Sequence, residues 1–248
     1  MPPQATPPHN RARRGRMGEQ EGFVRFGLFP SFFYTKDSAT GSFAGFGIEL
    51  ARSFAESQGR TLLLREYGAP PDVVRALTDG DCDVALMGLD PARGTDVDFS
   101  PPYLRADFTF LVQAGSRIDQ ISDVDQPGQR VAVVRNHAME FALRGKLLRA
   151  DRVFARTPDE GFNMVQAGHA DILAGIRPGL LRYADLMPGS RVLNGRYGEN
   201  VLALAVAKGR DDWFSAINQF VMNARTSGLI QRIIQETGLA GVTPVLTS

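Results

Sequence analysis

Residues 81–103 read DCDVALMGLDPARGTDVDFSPPY. Val84, Ala85, Leu86 and Met87 form a short apolar run, with acidic residues before it and Gly88 after it. That pattern suits a strand buried on both faces of a parallel sheet. In open α/β sheets, ligands bind outside the carboxyl ends of the strands, so Gly88, Asp90 and Arg93 stand where a polar ligand would meet them. Pro91 suits the first turn of a short helix, where its missing N–H needs no partner.

Outward from this stretch, apolar strands alternate with amphipathic helices, which predicts an α/β fold with mainly parallel sheets. A first block has a strand at 23–29, a helix at 47–58 with Ile48, Leu50, Ala51, Phe54 and Ala55 on one face, and a strand at 61–65. A helix at 71–77 then leads into the strand at Val84. A second block repeats the order: strand 130–134, helix 138–148, strand 152–155, helix 158–167, strand 171–174 and helix 178–186. The repetition predicts two similar lobes. Between them, 108–112 is rich in β-formers, and GSRIDQISDVDQPGQ reads as surface loop with a short helix. After the second block come a strand at 201–207 and helices at 211–226 and 229–237, with Gly228 and Gly238 as breaks. These last helices have no strands of their own to cover. They are expected to return to the first lobe, which requires two chain crossings.

Composition narrows the function. The 248 residues include 28 basic and 27 acidic ones, a formal charge of +1, so no global field attracts nucleic acid or an anionic membrane surface. No apolar run is long enough to span a membrane. Residues 1–21, rich in Pro, Arg and Gln, are expected to be a disordered tail. Arg11, Arg13, Arg14 and Arg16 supply the charge of an export signal, but the apolar core that should follow is absent. The same arginines could form a nucleic-acid arm, although a solvated tail on a neutral body is the plainer reading. Cys82 is the single cysteine, so it closes no internal disulfide and builds no metal site alone. It reads as an inert core residue. No metal cluster, phosphate-binding glycine loop or nucleophile triad is visible, and no cofactor is expected. GFGIEL at 45–50 lacks the third glycine of a dinucleotide fingerprint.

Four segments carry a resemblance: GLFPSFFYTKDSATGSFAGFGIELARSFAE at 27–56, the 81–103 stretch, RVAVVRNHAMEFAL at 130–143 and AGHADILAGIRP at 167–178. In this order, with VDFSPPY before the crossing, the chain resembles the type II periplasmic solute-binding proteins, family 3, a group that includes polar amino acid receptors of ABC transporters. The resemblance implies two α/β lobes, each a mostly parallel sheet flanked by helices. The first lobe would be 22–103 plus 202–248 and the second 108–198, with hinges near 103–108 and 199–202. It further implies a periplasmic monomer that closes on a small solute in the interlobe cleft and presents the closed form to an ABC permease.

Residue roles follow from the same comparison. Counting back from Asp98-Phe99-Ser100, Arg93 matches the arginine that holds a ligand carboxylate with its guanidinium fork; a surface arginine on a turn is the alternative. Gly88 and Asp90 lie where the family presents a carbonyl and a threonine, but here the turn is shorter and has no threonine. Asp90 could bind a cation, pair with Arg93, or cap the turn. Phe29 matches the aromatic wall of the first lobe, while Phe32, Phe33 and Tyr34 read more readily as core. Asn136, His137 and Ala138 follow a strand and open a helix, so their N–H groups could hold an anion. His137 stands where a small hydroxyl residue is usual and reads equally as a cap or surface group. Ile176 stands where amino acid receptors carry the acid that pairs with a ligand ammonium, and Arg177 adds a positive charge beside it or merely begins the next helix.

These departures point to a small carboxylate, an organic acid or an atypical amino acid, as the solute. The leading expectation is a non-enzymatic receptor for an ABC importer. The alternatives are a dehydratase on the same scaffold, as in cyclohexadienyl dehydratases, or a ligand sensor module. Dehydration needs a placed general acid, which Ile176 does not supply.

Overall fold

A computed structural model describes residues 22–135 and 137–246. The expected disordered tail at 1–21 lies outside the described residues. The first block folds as β1 (Phe23–Leu28), a hairpin of β2 (Thr35–Lys36) and β3 (Phe43–Ala44), α1 (Phe46–Ser57) and β4 (Thr61–Glu66). It continues with α2 (Pro70–Asp79), β5 (Val84–Gly88) and β6 (Val97–Phe99). β7 (Leu104–Val112) leads into the second block: β8 (Arg130–Val134), α3 (Ala138–Ala142), β9 (Asp151–Ala155), α4 (Pro158–Gln166), β10 (Ile172–Ile176), α5 (Arg177–Leu186) and β11 (Arg191–Val192). β12 (Gly198–Ala207) returns, followed by α6 (Asp211–Thr226), α7 (Leu229–Thr237) and β13 (Val242–Pro244).

The sheet order β4-β1-β5-β12-β7-β10-β8-β9, with β6 on β12 and β11 on β7, shows two lobes of the same topology. In each, three parallel strands (β4-β1-β5 and β9-β8-β10) are extended by one antiparallel strand, β12 or β7. β7 and β12 also pair with each other, from Gly198 opposite Phe108 to Leu202 opposite Leu104, and so form a two-stranded crossing between lobes. That pairing explains why both strands begin earlier than their apolar runs suggest. β13 adds a third strand beside Leu104–Ala106, an element too short to be anticipated from periodicity. On the other side of the first lobe, the apolar face of α1 meets the C-terminal helices, with Phe54 packing on Trp213 and Phe220 at centroid distances of 6.2 and 5.3 Å.

The repetition reaches individual residues. Arg25, the third residue of β1, grips Asp83 with Nε and Nη2 at 3.0 and 2.7 Å, while the Arg25 backbone N–H donates to the same carboxylate at 2.9 Å. Arg130 opens β8 and grips Asp171 at the same three distances, 3.0, 2.7 and 2.9 Å. The aspartates end matched segments, GDCD (80–83) and GHAD (168–171), whose glycines turn at φ +79° and +72°.

One helix is shorter than its sequence suggests. α3 stops at Ala142 because Asp125 accepts the backbone N–H groups of Leu148, Arg149 and Ala150 at 2.9, 2.7 and 2.9 Å, holding them out of helical register. Gly145, at φ +75°, completes the turn. No helix among the described residues is long and apolar enough to cross a membrane.

Candidate functional site

Because β1 runs parallel to β5, and β10 parallel to β8, the loops after these strands leave each lobe at one edge. The two edges face each other. Phe32, in the loop after β1, lies against Gly179 in the first turn of α5, where a Cβ on the glycine would come within 2.5 Å of the ring. The cleft is therefore bounded by the turn after β5 on one side and the starts of α3 and α5 on the other.

On the first-lobe side, Gly88 ends β5, and a side chain there would collide with Asn200 of the crossing, 2.6 Å from its Oδ1. Pro91–Arg93 form a 3-10 turn. Asp90 caps it, accepting the Ala92 N–H at 3.0 Å. Arg93 donates Nη1 to the Gly88 carbonyl at 3.3 Å, with Nε 3.5 Å from the Asp90 carboxylate. Its side chain stays 28% exposed, so the fork is anchored from behind and still reachable. Phe29 is partly buried and packs on the cluster that contains Val73, Leu77, Met87 and Val97. Phe33 and Tyr34 are core, with the Tyr34 hydroxyl donating to Glu66 at 2.9 Å. Cys82 is buried beneath the same strand, and burial pushes its thiol up to about 12.

On the second-lobe side, Asn136 lies outside the described residues. His137 caps α3 through its backbone carbonyl, which accepts the Glu140 N–H at 2.9 Å, while its side chain caps nothing. Crowding by surrounding atoms lowers the imidazole pKa below its usual value, outweighing the carboxylate of Glu140. Ala138 opens α3, a helix of five residues, too short to add a substantial dipole to its N–H groups. Ile176 is buried at the end of β10, paired with Phe108. Arg177 is held by the chain itself: its guanidinium reaches Asp107 at 3.2 Å and the carbonyls of Leu193 and Gly195 at 3.1 and 2.5 Å. Arg196 joins the same network by bridging Asp107 and Glu199 at 3.4 and 3.1 Å. Of the positive charges considered for the cleft, Arg177 is thus committed to bracing the crossing, and Arg93 is the available one.

Sequence reasoning missed Asn200, which backs Gly88, and the docking of Phe32 onto Gly179. A glycine in the first turn of a helix was the available signal, since a close neighbour is one reason for a residue without a Cβ there.

Two lobes of like topology joined by a paired-strand crossing define the fold of a type II solute-binding protein. The profile of the bacterial extracellular solute-binding proteins, family 3, matches residues 27–238, and the chain belongs to that family. The glutamine-binding protein of an ABC transporter from Bacillus subtilis is 24% identical over 209 residues, covering 82% of this chain and 76% of the relative. The cyclohexadienyl dehydratase of Pseudomonas aeruginosa is 29% identical over 153 residues, 59% of this chain and 55% of that one. An ancestral cationic amino acid solute-binding protein superposes with a TM-score of 0.75 at 26% identity, covering 87% and 95% of the two chains. Relatives therefore include binding proteins and an enzyme.

Proposed function

We propose that the protein is the extracytoplasmic receptor of an ABC importer, acting in the periplasm without catalysis and taking up a small carboxylate, an organic acid or an atypical amino acid. The observation that carries this reading is the pairing of a reachable, pre-anchored Arg93 with a buried, apolar Ile176 at the carboxyl end of β10. A guanidinium fork recognises a carboxylate by two parallel charged hydrogen bonds, and isoleucine offers no counter-charge to an ammonium. We take residues 22–103 with 202–248 as one closing body and 108–198 as the other, with β7 and β12 flexing between them.

Isothermal titration with a panel of mono- and dicarboxylates and the common amino acids tests the reading. Binding of carboxylates lacking an α-ammonium is the expected result. Tight binding of an ordinary amino acid with no response to organic acids would refute it.

A further inference from the structure

The second-lobe face of the cleft is not empty: the protein fills it with its own side chain. Phe32 belongs to a first-lobe loop, yet its ring sits over Gly179, where a built Cβ would lie 2.5 to 2.8 Å from three ring carbons. It meets Tyr183 edge-on, with centroids 6.4 Å apart and planes at 84°, a favoured geometry for aromatic pairs. Tyr183 is itself fixed, stacked on Phe162 at 4.5 Å and donating its hydroxyl to Asp159 at 2.6 Å. With the ring, Val134, Met139, Ile176, Leu180 and Tyr183 line a cavity of only about 10 Å³. That holds about one water molecule. The receptor surface is thus apolar, shaped for a flat ring, and already occupied.

We propose that Phe32 is a specificity-determining residue: it plugs an aryl-shaped subsite on the second lobe and so restricts the cleft to short carboxylates. This builds on the reading of the protein as a carboxylate receptor. Gly179 is the matching half of the device, because any side chain there would expel the ring.

The test compares wild type, Phe32→Ala, Phe32→Leu and the double variant Phe32→Ala with Gly179→Ala. Acetate and phenylacetate are titrated calorimetrically, and neutral 4-methylphenol is scored by thermal stabilisation. In Phe32→Ala the preference for phenylacetate over acetate should rise by about tenfold or more, the scale of opening an apolar pocket. Phe32→Leu should fall between, which keeps the comparison if the alanine variant folds poorly. 4-Methylphenol should stabilise Phe32→Ala, but not wild type or the double variant, where the methyl group added at position 179 intrudes on the vacated space. An unchanged phenylacetate-to-acetate ratio with no 4-methylphenol response in folded variants would overturn the proposal while leaving the carboxylate reading intact. A 4-methylphenol response with no carboxylate bound by any form would uphold the subsite and instead overturn the carboxylate reading.

Discussion

Arg93 derives its capacity from what holds it. With Nη1 on the Gly88 carbonyl and Nε near Asp90, the guanidinium is oriented before any solute arrives, so less side-chain entropy is lost on binding. Arg93→Ala should weaken carboxylate binding by about 1.5–3 kcal/mol, the usual worth of hydrogen bonds to a charged group. Arg93→Lys should recover only part of this, because an ammonium keeps the charge but not the fork. Titration of both variants with the same carboxylate checks the order, and equal affinities for lysine and arginine forms would remove the fork from the argument. Cys82 makes the opposite case, a reactive side chain disabled by its surroundings. Its thiol is buried and raised to about 12, so almost no thiolate exists at pH 8. A thiol reagent such as dithionitrobenzoate should label it only after unfolding, with native labelling slower by about a hundredfold or more than in urea.

Among the elements, those with a clear local period were legible: β8 spans 130–134 as expected, and α6 and α7 end where Gly228 and Gly238 break them. Elements set by contacts distant in sequence were not. Asp125 cuts α3 short, and β13 exists only because β7 offers it an edge. At the site the same division holds. Gly88, Asp90 and Arg93 sit in one turn that the sequence displays whole, whereas Phe32 and Gly179 come from separate lobes, and a glycine in a helix's first turn marks a close approach without saying which residue approaches. The paired clamps allow an internal comparison. Asp83 is 4% exposed and Asp171 35%, with near-identical hydrogen bonds, so burial is the main variable. Asp83→Asn should cost about 1–3 kcal/mol by removing the charge that faces a part-buried arginine, which keeps its bond to the Gly80 carbonyl, and Asp171→Asn less than about 1 kcal/mol after solvent screening. Arg130 holds the Asp171 carboxyl below the usual carboxylate range. A depressed native pKa contributes stability that is fully present above the unfolded value near 4 and is lost as pH falls through the native value. The gap between wild type and Asp171→Asn in urea titrations should therefore be constant from about pH 7 to 5 and narrow as the pH falls below the unfolded value near 4. A gap that widens on acidification would contradict the clamp.

For the molecule as a whole, β7 and β12 form a two-stranded crossing, and in the proposed receptor one lobe would rotate against the other about it. In a receptor of this kind the solute stabilises the closed form, but Phe32 already supplies an apolar interlobe contact without any solute. The open-to-closed balance is then shared between the solute and the chain itself, and a solute binding the closed form has an apparent affinity scaled by the fraction already closed. Phe32→Ala should consequently raise the radius of gyration of the solute-free protein in small-angle scattering, with saturating acetate drawing it back toward the wild-type value. Its acetate affinity should fall even though the cleft has gained space, because the closed fraction is smaller. That sign is the informative part. If Phe32 were only a steric obstacle, its removal would leave acetate affinity unchanged or improve it, and the scattering curves of the two solute-free proteins would coincide.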